Sequence, residues 1–295
     1  MRTVCILLTL IVTVSVFATN WGTLDEWVVY EDEYIFGLAL KGDGKIYLTS
    51  YGNTYITPLI FRYSASGTYE GLELTVTSGD YSAGGICYIN DASVGGEMWL
   101  IAGLNTNVIY IIDTSGNELG SFLAPASWDN IHGVAYNPDD DLLYLSWSPA
   151  DTLEGAVAWD TFTGVGFSPS WTENTSTETI SGLTYGEAGG TNYLFGTRRD
   201  RISYWDSKVY VWNLDGSGAP NDIYSPDDIF EFGSGYMPVP GNICWDGDYL
   251  WVNNQNHIDP ETLEDAIAKI WLNGYSPGTT NIKPASFGQI KAQFR

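Results

Sequence analysis

Gly37-Leu38-Ala39-Leu40, Gly85-Ile86-Cys87-Tyr88, Gly133-Val134-Ala135-Tyr136, Gly182-Leu183-Thr184-Tyr185 and Asn242-Ile243-Cys244-Trp245 are five copies of one pattern: a small residue, an aliphatic, a small residue, then a large one. Successive copies lie 48, 48, 49 and 60 residues apart. Side chains alternate across a strand, so each copy carries one slim face and one bulky face. Ala39, Cys87, Ala135, Thr184 and Cys244 belong to the slim one. Such strands fit together when the slim face of one unit meets the bulky face of the next around an axis.

Working outward, a Gly- or Asp-rich turn follows each copy and leads to an aromatic with an aliphatic beside it: Tyr47-Leu48, Trp99-Leu100, Tyr144-Leu145, Tyr193-Leu194 and Trp251-Val252. These read as second strands, their aromatics as core. Third strands end in turn residues, as in Ile112-Asp113-Thr114-Ser115-Gly116 and Trp212-Asn213-Leu214-Asp215-Gly216. Fourth strands are weaker, as solvent-facing edges are: Tyr69 to Val76, Leu119 to Leu123, a faint one near Phe167, and Ile229 to Phe232. A repeated four-stranded unit of about 45 to 50 residues is the mark of propeller blades. The expected fold is all-β, a five-bladed β-propeller of four-stranded antiparallel blades spanning 19–275. Its blades fall near 35–78, 82–124, 130–168, 180–233 and 241–275, and 276–295 form a tail.

The fifth unit lacks a clean fourth strand, while Trp27-Val28-Val29-Tyr30 precedes the first unit with none assigned to it. We expect the segment 26–31 to complete blade five, with Phe287 to Phe294 as the competing source. Cys87 and Cys244 occupy equivalent positions in blades two and five, which blade one separates. A disulfide needs Cα atoms within about 7 Å, so two separate thiols are expected.

Arg2, the apolar run Val4 to Phe17 and the sequence Val16-Phe17-Ala18 predict an export signal cleaved near Ala18. The run is shorter than the roughly 20 residues that span a bilayer, and no later stretch approaches that length. The expected location is therefore extracellular or periplasmic. A formal charge of −24 repels phosphate backbones and argues against nucleic acid as a partner.

These features resemble secreted β-propeller repeat proteins of the broad YVTN and NHL kind. Ile109-Tyr110-Ile111-Ile112-Asp113-Thr114-Ser115-Gly116 is the stretch most similar to their third-strand motif. The resemblance covers 25 to 275 and implies the fold, since that architecture hosts lectins, hydrolases, lyases and scaffolds alike. Those families more often have six or seven blades, so five is a departure. The last ten residues, Ser286 to Arg295, also resemble a short tail found on exported proteins of some bacterial lineages, which would imply sorting or attachment.

In an up-and-down meander, the second-to-third-strand loops and the blade-to-blade loops share one face, and all the long insertions fall there. Loops on a rigid scaffold are the usual home of binding residues. Arg198, Arg199 and Arg201, beside Tyr204 and Trp205, could grip a carboxylate or a uronic-acid sugar. Asn253, Asn254, Gln255 and His257 offer amides next to Trp251, which suit sugar hydroxyls. Trp128, Asp129, Asn130 and His132 enter blade three beside the axis, with Trp171 and Glu178 completing the rim. The one plausible helix begins at Asp259-Pro260-Glu261.

Motifs for nucleophilic, zinc or phosphate-loop chemistry are absent from the sequence. No metal site is expected, although so acidic a surface leaves calcium binding open; Asp139 to Asp141 lack the other ligands of a calcium loop. The leading expectation is a non-catalytic extracellular binding or scaffold module whose partner is a glycan or a surface protein. The alternatives are a polysaccharide hydrolase, lyase or lactonase using Asp129, His132 and Glu178 at the channel mouth, and a structural spacer. Oligomeric state is not legible.

Overall fold

The computed structural model describes residues 21–29, 35–51, 58–76, 83–92, 95–103, 106–124, 131–139, 142–147, 152–158, 172–174, 179–199, 208–214, 229–231, 240–254, 265–272 and 275–277. Twenty strands form five four-stranded antiparallel sheets, and no helix occurs among the described residues. Blade one holds β2 (Ile35–Leu40), β3 (Lys45–Tyr51), β4 (Pro58–Ser64) and β5 (Tyr69–Thr75). Blade two holds β6 (Ala83–Asp91), β7 (Gly96–Gly103), β8 (Val108–Ile112) and β9 (Glu118–Leu123). Blade three holds β10 (Ile131–Asn137), β11 (Leu142–Trp147), β12 (Thr152–Ala158) and β13 (Thr172–Asn174). Blade four holds β14 (Thr179–Ala188), β15 (Thr191–Arg199), β16 (Lys208–Leu214) and β17 (Ile229–Glu231).

Blade five is built from both ends of the propeller. Its order is β18 (Pro240–Trp245), β19 (Leu250–Asn254), β20 (Asp265–Leu272) and then β1 (Trp21–Val29), which pairs antiparallel with β20. The N-terminal strand therefore closes the ring, and it starts at Trp21, five residues before the start of the expected segment 26–31. A register shift between Thr23 and Asp25 hides that extension from any alternation pattern.

Closure also shows in the packing. Among the described residues five hydrophobic clusters form, and each joins two consecutive blades. Ala39, Tyr47 and Ile60 of blade one meet Ile86, Trp99 and Ile112 of blade two. Leu100 and Ile111 meet Val134 and Leu145 of blade three, and Ala135 and Tyr144 meet Leu183, Leu194 and Trp212 of blade four. Phe195 and Val211 meet Ile243 and Ile270 of blade five. Last, Cys244, Trp251 and Val29 meet Leu38, Leu48 and Tyr63, which returns the ring to blade one. The slim residue of every inner strand faces the following blade and the aliphatic faces the preceding one, as the repeat requires.

Cross-strand register refines the aromatic positions. The slim residues pair with Tyr47, Leu100, Tyr144, Phe195 and Trp251. Trp99 is offset by one residue, so it packs toward blade one against Tyr47, with ring centroids 5.1 Å apart. A one-residue offset reverses the face. Tyr193 is offset by two, stays on the same face as Phe195, and is only half-buried. Trp99 is fully buried, as expected of a core aromatic, but on the face toward blade one, while in blade four Phe195 and not Tyr193 is the fully buried aromatic. Blade three's outer strand is Thr172–Asn174, while Phe167 and the expected helix at Asp259 lie outside the described residues.

Polar tips fasten the short-turn face. Tyr136 Oη donates to Asp91 of the preceding blade at 3.0 Å, Tyr185 Oη to Asp139 at 2.7 Å, and Trp245 Nε1 to Glu187 O at 3.1 Å. The large residue of the repeat is amphipathic in four copies, Tyr88, Tyr136, Tyr185 and Trp245, and in the last three its tip bonds to the preceding blade where its body leaves the core.

Candidate functional site: the closed mouth of the axis

Every inner strand carries a register shift at its start: between Ile35 and Gly37, Ala83 and Ile86, Ile131 and Gly133, Ile180 and Gly182, and Pro240 and Ile243. The residues left out of the ladder are Phe36, Gly84 with Gly85, His132, Ser181, and Gly241 with Asn242. A β-bulge bends its strand and re-aims a side chain. Five of them at one level form a ring at the end where the blade-to-blade connections enter. Tyr51 and Pro58, the ends of β3 and β4, pair beside this same end of blade one.

The glycines of the repeat explain how five strands converge here. A Cβ on Gly85 would lie 2.5 Å from His132 O, and one on Gly182 would lie 2.5 Å from Asn242 Cα. Backbone of one blade occupies the space that a side chain of its neighbour would need. Asn242 is the one copy of the repeat that is not glycine, and it is fully buried. Its Nδ2 reaches past blade four to donate to His132 O of blade three at 3.3 Å, while its Oδ1 accepts from Ile243 N at 3.1 Å. The amide thus links blades five and three, which blade four separates.

A second tier of polar residues lies on the second strands opposite the bulges. Thr49 pairs with Gly37, Ser146 with Gly133, and Thr197 with Gly182; Asn253 flanks the shift at Gly241 and Asn242. All four are fully buried. Thr197 Oγ1 donates to Gly241 O at 2.5 Å, and Asn253 Nδ2 donates to Ile35 O at 3.0 Å. Each bond ties one blade to the next. Blade two has Ala102 at this level and no such tie.

Of the residues expected to form a site, His132 stands at the bulge of blade three and is half-buried. Asn253 is wholly engaged in packing between blades five and one, and Asn254 is the last residue of β19, paired with Pro240. Arg198 and Arg199 belong to strand β15, paired with Ile180 and Thr179, so two members of the expected arginine loop are on the sheet. Trp128, Asp129, Asn130, Trp171, Glu178, Arg201, Tyr204, Trp205, Gln255 and His257 lie outside the described residues. Phe36, Ser181 and Asn242 were not expected. Asn242 had a signal, as the one departure from glycine; Phe36 and Ser181 had none, because a bulge residue precedes the repeat without disturbing its alternation. Among the described residues no group of three His, Cys, Asp or Glu side chains could hold a metal ion.

Fold and site together define a five-bladed β-propeller whose inner strands meet closely enough at the bulge level for Asn242 of blade five to bond past blade four to His132 O of blade three. No protein-family model matches the chain, and no curated protein matches its sequence. Among solved structures it is similar to the Dos1 propeller, at 12% identity over 83% of this chain and 62% of that one, with a TM-score of 0.44. It is also similar to a protein of unknown function from Bacteroides caccae, at 10% identity over 75% of this chain and 70% of that one, with a TM-score of 0.46. The chain thus spans less than two thirds of the first of these.

Proposed function

We propose that this protein is an exported, non-catalytic binding propeller that takes a glycan on its loop-bearing face. The observation that carries this reading is the close approach of the inner strands, with Asn242 bonded past blade four to His132 O, which favours a ligand seated on the loop-bearing face over one that threads the axis. Support comes from the ring of five packed blades beneath, tied by Thr197, Asn242 and Asn253, a rigid platform of the kind on which binding loops are mounted. The net charge of −24 favours a neutral ligand over an anionic one. Export rests on the signal-like residues 1–18; among the described residues no helix is long and apolar enough to cross a membrane.

The test is a glycan array probed with residues 19–295, wild type beside Trp171→Ala, Trp205→Ala and Asn254→Ala. Defined hits weakened by these substitutions are expected. An array without hits overturns the glycan reading and turns the search to extracellular protein partners.

One observation favours a second reading. His132 sits on a bulge, half-buried, at the channel mouth, where a general base would need to be. A hydrolase, lyase or lactonase using Asp129, His132 and Glu178 would turn over a polysaccharide or lactone substrate. Activity that survives Glu178→Gln would remove that assignment.

A further inference from the structure

Each blade ends in an outer strand, and β1 is the longest of the five, with nine residues against seven in β5, six in β9 and three each in β13 and β17. It is the last strand of its sheet, so among the described residues one of its edges has no strand beside it. Proteins blunt such edges with short strands, lysine or proline, because an open row of amides and carbonyls pairs with an extended segment that fits. β1 contains neither lysine nor proline. Past the register shift, Asp25 to Val29 pair in unbroken sequence with Lys269 to Asp265, and the charges of this stretch, Asp25 and Glu26, are acidic.

The side of β1 that meets blade one continues into apolar surface. Trp27, half-buried, stacks on Tyr63, whose ring lies 5.3 Å from that of Tyr69. Tyr69 in turn meets the ring of Phe61 at 6.1 Å, and Leu72 is paired with Phe61 across the sheet. Tyr69 and Leu72 are two of the five large apolar side chains that stand exposed among the described residues. The run therefore passes from the edge strand of blade five to the edge strand of blade one and ends in solvent.

The sequence supplies a matching segment. Gly288-Gln289-Ile290-Lys291-Ala292-Gln293-Phe294-Arg295 alternates small or apolar residues with polar ones at every position, the period of a half-buried strand. Residues 278–295, which lie outside the described residues, carry Lys283, Lys291 and Arg295 and no carboxylate, in a chain of net charge −24. The chain also arrives at the right place. Ser276 N donates to Leu272 O at 2.9 Å and Ser276 Oγ accepts from Leu272 N at 3.0 Å, and Leu272 is the partner of Trp21 in the ladder of β20 with β1. A position outside β1 is two strand spacings from β20, about 10 Å. Residues 278–287, extended, reach up to roughly 33 Å.

We propose that residues 288–295 dock on the open edge of β1 as a fifth strand of blade five, with Ile290, Ala292 and Phe294 laid on the side of Trp27 and the exposed Tyr69 and Leu72. Backbone hydrogen bonds to β1 supply the ladder, as in strand addition at an exposed sheet edge. The three cations are drawn to the acidic body. The two terminal segments then lie side by side and seal the seam of the ring twice. This inference concerns the rim of the propeller and stands apart from the glycan reading, which concerns its loop-bearing face.

Hydrogen exchange read by mass spectrometry tests it on residues 19–295, on a chain stopped after Pro277, and on the double variant Ile290→Asp, Phe294→Asp. In the unaltered chain we expect exchange in 288–295 to be slowed about tenfold or more relative to a free peptide of the same sequence. Exchange in 21–29 should quicken in both altered chains. Carbodiimide, which joins a lysine to a carboxylate in direct contact, should couple Lys291 to Asp25 or Glu26 in the unaltered chain, a readout that needs no variant to fold. Unprotected 288–295 overturns the docking. Protection of 288–295 with coupling of Lys291 only to carboxylates of other blades overturns the placement on β1. Protection that grows with protein concentration, beside a dimer in sedimentation equilibrium, assigns the strand to a second copy and overturns docking within one chain.

Discussion

In blade two the third and fourth strands, β8 and β9, are joined by the turn Asp113 to Asn117 and share five paired positions; in blade five, β20 and β1 have no connecting turn and share eight. The outer pair whose strands come from opposite ends of the propeller thus has the longest ladder of the five, the others having five, three and three. Loop-closure entropy accounts for the direction. Joining strands through more than two hundred residues, instead of a five-residue turn, costs on the order of 3 kcal/mol more. Extra ladder bonds and side-chain burial offset that cost. The two pairs also share a device. The turn of blade one, Ser64 to Thr68, seats Gly67 against Trp27 of β1, and the equivalent turn of blade two seats Gly116 against Thr75 O of β5. In blades one and two the outer turn rests on the outer strand of the blade before it, and β1 fills that role for blade one.

Removing 21–29 is the most severe way to break this comparison. It strips blade five of its edge and removes Trp27 and Val29 from the cluster shared with blade one. We expect loss of the cooperative thermal transition and of near-ultraviolet circular dichroism, since the loss approaches the total stability of about 5 to 15 kcal/mol of a typical domain. A truncated chain that melted like the wild type would show that closure by β1 is dispensable.

Trp27→Ala is the next step down. The indole stacks on Tyr63 at 5.2 Å and lies beneath Gly67. A loss of about 3 kcal/mol is expected in urea unfolding. On β9, Leu119 and Leu123 are exposed, so Ala at either should stay within about 0.5 kcal/mol of the wild type. Equal effects on the two strands would mean that the long ladder, and not this clamp, carries the closure.

Gly116→Ala probes the turn that β20 and β1 lack. Gly116 has a φ of +90°, and a Cβ there would fall 2.5 Å from Thr75 O. Strain and clash together should cost about 1 to 3 kcal/mol by the same unfolding assay. A neutral result would show that the turn does not bear on the preceding blade.

What could be read in advance follows the same division between regular and irregular backbone. The slim and bulky faces of Ala39, Cys87, Ala135, Thr184 and Cys244 depend on strict alternation, and alternation is visible in a sequence. Blade number follows from the recurrence of that signal, and closure by the N-terminal strand from counting the strands left over. Bulges add residues without altering the pattern on either side, so Phe36 and Ser181 are hidden. The second strands lie where their aromatics put them, but which face Trp99 takes, and that Phe195 and not Tyr193 is the fully buried aromatic of blade four, depend on register, and size is a poor guide to register when neighbours are all apolar. Arg198 and Arg199 looked like loop because charge discourages a strand assignment, yet the β14 to β16 ladder continues through both.

The smallest expected effect separates the two outer pairs by pH. Asp113 accepts from Asn117 Nδ2 at 2.9 Å and from the backbone amides of Asn117 and Ser115 at 2.8 Å each. The side-chain bond from Asn117 is the largest cause holding its carboxyl below the ordinary value, with the Asn117 amide next. A carboxylate whose folded pKa is depressed adds stability that is present above its unfolded pKa, near 3.9, and is lost as pH falls through the folded value. Hydrogen exchange at the amides of Asn117 and Ser115 should therefore quicken below about pH 4, while exchange at Trp27 and Val28 should not share that step. Because Asp113 is almost fully solvated, screening keeps its contribution small. If the two regions lost protection together at the same pH, the turn and the closing ladder would be one cooperative unit, and the contrast between them would reduce to a difference in length.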